Sequence, residues 1–406
     1  MDSTLALATE GYAWLPDLWR RRQGPLVRTR LLGRRAVVLR GVDAVGFFYD
    51  ERHVQRRTAL PDPVVATLFG HGAVHTLDGA AHRTRKALFT HLLSDADDVS
   101  ALTDEVTAAW DAAVPDWADR AEVVFFDEAS VVLTRAVTRW AGVPEGDEAE
   151  TRALAADLVA MVDGFATLGP RHWRARRARA RQEARLAELV EAVRARDAAA
   201  PEGSALAAVA AHRDADGAPL SARVAAVELL NVLRPTVAVS WFAAFAAHAL
   251  HRWPEHRAEL ADPAYAHAFA DEVRRFYPFA PFVAGHAVDD LTWRGEPIAA
   301  GTLVLLDLYG QNHDPALWDE PYTFRPARFT GRATDPDALV PQGGGDPATG
   351  HRCPGEPVTR ALLAALAGRL AALPYELPDQ DLTIPLTRIP TRPRDAIRLH
   401  VPKPAA

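Results

Sequence analysis

The chain has 406 residues, of which 49% are hydrophobic, enough to bury one large core or two domains. Its formal net charge of −7 and its pI of about 6.1 argue against nucleic acid as the main partner. A single cysteine excludes a disulfide framework, and the N-terminal segment lacks the basic and apolar regions of a secretory signal. No run approaches the ~18 apolar residues that a membrane span needs, so we expect no membrane span and a soluble, cytoplasmic protein.

The hydrophobic pattern along the chain predicts a mainly helical protein with a small β part. Residues 26–41 alternate apolar and polar side chains around Leu-Gly, which predicts a hairpin. From about 97 to 276, apolar residues recur at helical spacing, and short β-like segments return at 282–298, at 302–310 and in the proline-rich C-terminal tail. Neither a βαβ alternation nor an internal repeat occurs. Because no break in composition divides the chain, we expect a single domain over 1–406.

An arginine-rich run at 171–185 is the one strong charge cluster in the chain. Such a run can form a nucleic-acid or membrane-surface patch, or the solvated face of a helix. The acidic balance of the whole chain favours the solvated face.

The single cysteine, Cys353, lies in the loop GGGDPATGHRCPGE at 343–356, where apolar core packing does not account for it. Arg352 beside it and a helix beginning just after it would both favour a thiolate. A phosphate-binding loop would need a lysine that is absent, and a cysteine nucleophile would need a base. His351 is near in sequence, but no hydrolase signature surrounds it. The third alternative is a metal-bound thiolate, and without a second cysteine haem iron is the natural candidate.

The segment Gly-His-Arg-Cys-Pro-Gly at 350–355 resembles the haem-thiolate loop of the cytochromes P-450. Two further motifs of that family occur in the same order along the chain as in the family. Glu272 and Arg275 match the Glu-x-x-Arg helix, and the segment Phe-Arg-Pro-Ala-Arg-Phe at 324–329, which contains Arg328, matches the Pro-x-Arg-Phe motif. Alone, Glu272 and Arg275 would be a surface pair one helical turn apart. The resemblance implies the cytochrome P-450 fold, a single domain enclosing one haem b with Cys353 as axial ligand to iron. It also implies that Arg328 completes an ion-pair triad that braces the fold.

The long apolar helix predicted over 225–250 carries Arg234 and Pro235 where ordinary members of the family have an acid–alcohol pair. Pro235 has no hydroxyl and interrupts the helical hydrogen bonds. A guanidinium in an apolar setting is costly unless it snorkels to the surface or an anion pairs with it. We therefore expect Arg234 to bind a substrate carboxylate. Its neighbours at helical spacing are essentially apolar: Leu230, Asn231, Val237 and Ala238.

This arrangement resembles the fatty-acid peroxygenase branch of the P-450 family. The resemblance implies that hydrogen peroxide replaces dioxygen and a reductase, so that no redox partner is expected. The carboxylate of a free fatty acid held by Arg234 would be the acid–base group, and oxidation would occur at the α or β carbon, with decarboxylation to a terminal alkene as a second outcome. Further matching segments are 68–70, 78–79, 85–86, 233–235, 274–279, 306–310, 312–314 and 341–345.

His75 falls where decarboxylating relatives have histidine and some hydroxylating relatives have glutamine, and Phe69 and Arg234 complete the same trio. The resemblance thus implies that Arg234, Pro235 and His75 are catalytic, and that Arg234, Phe69 and His75 bind substrate. Alone, His75 would be an ordinary loop histidine. A metal site formed with His71 is disfavoured, because the glycine between them argues against a helix.

The segment beginning at His82 resembles the helix whose cations meet the haem propionates. The resemblance implies cofactor contacts from His82 and Lys86, with Arg85 beside them, although Arg85 and Lys86 could equally lie on a solvated face. His351 is a further candidate, fixed by the cysteine loop, and Arg56 is a weaker one.

Two other functions stay open at this point. One is a conventional P-450 monooxygenase that needs a redox partner, which the Arg234-Pro235 pair disfavours. The other is a non-catalytic haem protein that binds an organic acid. The substrate could also be a carboxylate other than a fatty acid.

Overall fold

The computed structural model describes residues 2–22, 24–165, 167–331 and 334–403. Within these ranges the chain forms sixteen α-helices and nine short strands. The helices are α1 Thr4–Glu10, α2 Trp14–Arg21, α3 Val42–Tyr49, α4 Asp62–Val64, α5 Gly79–Ser94, α6 Ala96–Ala118, α7 Phe125–Trp140, α8 Glu148–Asp163, α9 Pro170–Ala195, α10 Ala205–Ala211, α11 Ala222–Val237, α12 Val239–Arg252, α13 His256–Glu259, α14 Pro263–Phe276, α15 Leu308–Asn312 and α16 Glu356–Ala372. This confirms the prediction of a mainly helical chain with a small β part.

The strands form one five-stranded sheet and two small ladders. They are β1 Val27–Leu31, β2 Arg34–Leu39, β3 Val54–Gln55, β4 Val123–Val124, β5 Phe282–Ala287, β6 Leu291–Trp293, β7 Glu296–Ile298, β8 Leu303–Asp307 and β9 Arg398–Leu399. The large sheet has the order β1-β2-β8-β5-β3, in which only β2 and β8 run parallel; β4 pairs with β9, and β6 with β7. The predicted hairpin is confirmed, with Leu32 and Gly33 in its turn at positive φ.

Helices α11 and α12 form the centre of the helical part. Together they run from Ala222 to Arg252 and are long and apolar enough to cross a membrane by length and composition, which the sequence estimate of apolar runs missed. The protein buries 94% of that apolar stretch in its interior, as expected for a core helix. α11 continues through Pro235, whose missing N–H leaves the carbonyl of Asn231 without its helical donor, and Ala238 separates α11 from α12.

The predicted ion-pair triad is present and buried. Arg275 donates from Nε and Nη2 to the two carboxylate oxygens of Glu272, at 2.7 and 2.8 Å. Arg328 Nε lies 3.0 Å from the same carboxylate. Arg275 also donates to the carbonyls of Asn312 and Pro321, so the triad fastens α14 to the irregular segment that follows α15. The surface-pair interpretation of Glu272 and Arg275 is therefore wrong.

The arginine-rich run lies on the N-terminal half of α9, and several of its side chains are solvated as predicted. Arg179 is the exception, since only 3% of it is exposed. It donates to the carbonyls of Thr67 and Leu68 and to Glu183. One arginine of the run therefore holds the segment before Phe69 in place.

Candidate active site

The cysteine loop turns its thiol inward at the start of α16. The backbone N–H of Cys353 donates to the carbonyl of Gln342 at 3.2 Å, and Gln342 Nε2 lies 3.7 Å from Sγ. Burial raises the pKa of this thiol, although the backbone of Gly355 and the charge of Lys86 oppose the shift. The expectation that Arg352 helps to ionise it is wrong, because that side chain turns away and pairs with Glu356 at 2.6 Å.

Two buried nitrogen atoms, Arg56 Nη1 and His82 Nδ1, have no hydrogen-bond partner in the described part of the chain. The imidazoles of His82 and His351 stack with their centres 3.8 Å apart, and His351 Nε2 is 3.4 Å from Asp78. Burial, with His351 nearby, lowers the pKa of His82 to about 3. Buried donors without acceptors are costly, so this cluster favours an anionic group that would accept from them.

Lys86 and Arg85 are adjacent on α5 but have different partners. Lys86 is buried and donates to the carbonyl of Arg352, in the cysteine loop itself. Burial lowers its pKa to about 8, and Cys353 opposes that shift. Arg85 is also buried, but it pairs with Asp214 and Glu228. The solvated-face alternative is therefore wrong for both, and Arg85 lies in a different ion-pair cluster from the nitrogens described above.

These observations fit the haem that the sequence resemblance implies. Cys353 offers a partly buried sulfur, and Arg56, His82, Lys86 and His351 offer cationic or donor groups for two propionates. Among the described residues Arg56 Nη1 and His82 Nδ1 are buried without partners, so an anionic group would satisfy them.

Arg234 lies on α11, is 6% exposed, and donates from Nη2 to Asn231 Oδ1 at 3.2 Å. Its Nε has no partner in the described part of the chain. Burial, reinforced by the charge of Arg179, lowers the pKa of Arg234 to about 9. The snorkelling alternative is wrong, and the guanidinium has no carboxylate partner among the described residues.

Phe69 and His75 lie beside Arg234, as the sequence predicted. The guanidinium carbon of Arg234 is 5.9 Å from the Phe69 ring centre, and the rings of Phe69 and His75 are 4.3 Å apart. His75 Nδ1 is buried with no partner in the part of the chain that the structure describes. Burial together with Arg234 holds the pKa of His75 well below its usual range. His71 instead pairs with Asp62 at 2.9 Å on an exposed loop, which argues against a metal site formed with His75.

Glu228 and Asn231 also contact this pocket, although no role was predicted for them from the sequence. Both lie on α11, and Glu228 is fully buried. Glu228 and Asn231 lie six and three residues before Arg234, and this spacing is the signal that could have identified them, because it places all three on one helical face.

Comparison with known proteins by sequence gives matches to part of the chain. The cytochrome P450 family model matches residues 252–370. Curated relatives include cytochrome P450 81Q32 of Catharanthus roseus, 31% identical over 113 residues, and salutaridine synthase of Papaver somniferum, 39% identical over 72 residues. These matches span 28% and 18% of this chain, and 22% and 14% of the length of the two relatives.

Solved structures match over nearly the whole chain. A mutant of cytochrome P450SP alpha (CYP152B1) is 41% identical with a TM-score of 0.95, and 98% of each chain is covered. Ligand-free cytochrome P450 OleT is 36% identical with a TM-score of 0.96, covering 100% of this chain and 98% of its own. Identity at this level over whole chains, with the thiolate loop and the Glu272 triad in place, shows that the chain belongs to the cytochrome P450 family, beside P450SP alpha and OleT.

Proposed function

We propose that this protein is a haem-thiolate peroxygenase that uses hydrogen peroxide to oxidise free fatty acids close to their carboxyl group. The observation that carries the proposal is the buried guanidinium of Arg234, which among the described residues has neither a carboxylate partner nor a partner for Nε. When bound through Cys353, the haem b of this family supplies the iron centre at which peroxide is activated.

Arg234 supplies the binding energy for the substrate carboxylate. Its planar guanidinium can hold a carboxylate in two parallel hydrogen bonds, and the low dielectric of the pocket strengthens them. An anion there would also remove the cost of the buried, unpaired cation. The free acid, rather than an ester or an amide, is therefore the form that the pocket selects.

Pro235 determines what this part of α11 lacks. Where an acid and an alcohol would transfer protons, proline has neither a hydroxyl nor an N–H. A proton of the peroxide must then be moved by another group held in the pocket. A substrate carboxylate bound to Arg234 can act as that acid and base. The substrate thereby supplies the catalytic group that the chain does not.

The same anchor determines which carbon atoms are oxidised. A carboxylate fixed on Arg234 keeps the α and β carbons nearest to it, so these are the positions we expect to react. His75 contacts Phe69 in this pocket, and its lowered pKa keeps the imidazole neutral near pH 7. We propose that His75 influences the balance between hydroxylation and decarboxylation to a terminal alkene.

The ligands of two similar structures support a carboxylic acid as substrate. One structure of P450SP alpha is a complex with (R)-ibuprophen, and one of an OleT mutant is a complex with arachidonic acid. Both ligands are carboxylic acids, which is the functional group that Arg234 would bind.

The test is to incubate the haem-loaded protein with hydrogen peroxide and a mixture of saturated fatty acids, without any reductase. We expect 2- or 3-hydroxy acids, terminal alkenes with one carbon fewer, or both, identified by mass spectrometry. Fatty alcohols of the same lengths are the control and should be oxidised far less. Turnover that requires a reductase and does not occur with peroxide would instead indicate a conventional monooxygenase. Binding of the acids without any oxidation would indicate a non-catalytic protein.

A further inference from the structure

One face of α11 carries a line of buried polar side chains that ends at Arg234. Glu228, Asn231 and Arg234 are spaced three residues apart and are 0%, 3% and 6% exposed. Polar groups buried to this extent are costly unless each is paired, so their partners show what holds them in place.

The amide of Asn231 has only one orientation that satisfies its neighbours. Its Nδ2 donates to the carbonyl of Phe69 at 2.9 Å and to the carboxylate of Glu228 at 3.2 Å. Its Oδ1 is then left to accept from Arg234 Nη2 at 3.2 Å. The reverse orientation would set Oδ1 against two acceptors and the amide N–H groups against a cation.

Glu228 is held in turn from two sides. One of its carboxylate oxygens accepts from the backbone N–H of Val74 at 2.8 Å and from Arg85 Nη1 at 2.6 Å. Arg85 Nη1 also donates to the carbonyl of Gly72 at 3.2 Å. Because Glu228 accepts a charge-assisted hydrogen bond, its position is well determined, and so is the position of the amide that it orients.

All three backbone contacts of this network fall in the segment between the two pocket rings. The carbonyls of Phe69 and Gly72 and the N–H of Val74 lie in the seven residues from Phe69 to His75. The network therefore fastens the segment that carries Phe69 and His75 to the helix that carries Arg234.

We propose that Asn231, oriented by Glu228 and Arg85, is the positioning residue that directs Arg234 towards the substrate carboxylate and sets its distance from Phe69 and His75. The proposal rests on the proposed function, in which Arg234 binds the carboxylate. Asn231 occupies one Nη2 position of the guanidinium and leaves Nε available to a ligand, so it determines which edge of Arg234 faces the acid.

The experiment compares two ligands that differ only at the head group, a saturated C14 fatty acid and its primary amide. Their dissociation constants are measured from the change in the haem absorption spectrum for the wild type and for Asn231→Leu. We expect the variant to bind the acid roughly tenfold more weakly, since a hydrogen bond to a charged group is lost, and to bind the amide almost as the wild type does. Asn312→Leu is a matched control, because Asn312 is the other asparagine of the chain, is also buried, and accepts from the N–H of Val340.

A role in folding alone would weaken acid and amide equally, in proportion to the loss of thermal stability, and that result would overturn the proposal. If Asn231→Leu does not fold, Asn231→Asp keeps the side-chain shape and places an anion against Arg234. It should lower acid binding more than amide binding; equal loss would again overturn the proposal. If the wild type itself binds acid and amide equally well, the proposed role of Arg234 fails as well. If the wild type prefers the acid and both variants keep that preference, only the role of Asn231 fails.

Discussion

Arg275 and Arg234 are both buried arginines on core helices, yet their surroundings differ in one respect. Arg275 donates two hydrogen bonds to Glu272 and three to backbone carbonyls, and all but the 3.4 Å bond to Thr323 are between 2.7 and 2.8 Å. Among the described residues Arg234 donates one hydrogen bond, to a neutral amide at 3.2 Å, and its Nε has no partner. Arg275 is thus a paired structural cation. Arg234 has no anionic partner among the described residues, although a buried cation is costly without one.

The contrast separates the two tasks that a buried charge can perform. A fully paired ion cluster is strongly destabilised when one partner is removed, because the other charge is left buried without compensation. An unpaired buried cation already destabilises the free protein, and this destabilisation is removed when an anion binds. The triad around Arg275 should therefore affect folding, and Arg234 should affect binding.

The largest expected effect is on the paired cluster. Glu272→Gln leaves Arg275 and Arg328 without their carboxylate and should lower the free energy of unfolding by about 3–5 kcal/mol, measured by denaturant titration. Asp319→Asn is the control, since Asp319 is 81% exposed at its side chain and pairs with Arg325. That change should cost less than about 1 kcal/mol. Equal effects of the two substitutions would contradict the distinction.

Arg234→Leu should lower turnover without lowering stability. Peroxide-driven oxidation of a fatty acid should fall roughly hundredfold, because the partner of a buried charge pair is lost. The free energy of unfolding should not fall, since the change removes an unpaired buried cation. Arg174→Leu on the exposed face of α9 is the matched control and should leave turnover near that of the wild type. A destabilised Arg234→Leu protein with normal turnover would make Arg234 a structural residue.

The segment from Phe69 to His75, beside Arg234, offers a smaller and more local test. Gly70 has φ +84°, and a Cβ there would lie 2.6 Å from Arg179 Nη1 and 2.7 Å from Val227 Cγ1. Gly33 has φ +75° with nothing within 4 Å of such a Cβ. Gly33→Ala should cost only the backbone strain of about 1–2 kcal/mol, and Gly70→Ala about 1–3 kcal/mol more for the contacts. Equal melting temperatures of the Gly33→Ala and Gly70→Ala proteins would mean that the segment can move away from α11, so that the pocket next to Arg234 is not rigid.

The smallest expected effect concerns His75. His75→Gln should change the ratio of terminal alkene to hydroxy acid by roughly two- to tenfold, equivalent to about 0.4–1.4 kcal/mol between two barriers, without lowering the affinity for the acid. Mass spectrometry of products from one fatty acid measures the ratio. An unchanged ratio would show that His75 does not influence the outcome.

The sequence predicted the parts of the molecule that depend on short spacing or on motifs in a fixed order. Glu272 and Arg275 are one helical turn apart, Arg328 lies in a motif of its own, and the hairpin at 26–41 follows from alternation. The trio of Phe69, His75 and Arg234 was predicted from the family resemblance, and the structure brings its members together.

What the sequence could not predict depends on contacts between distant segments. Arg85 finds Asp214 and Glu228 at separations of 129 and 143 residues, which no local pattern indicates. Arg352 stands next to Cys353 in sequence, but the loop directs it to Glu356, so burial dominates the pKa of the thiol. Likewise, the burial of Arg179 depends on how α9 packs against the segment before Phe69.

The most direct test of the central claim is a crystal structure of the haem-loaded protein with a saturated C14 fatty acid. We predict that the carboxylate lies within hydrogen-bonding distance of Arg234, with an oxygen roughly 2.7–3.0 Å from Nε. An acid bound with its carboxylate elsewhere, while Nε of Arg234 stays unpartnered, would contradict the account.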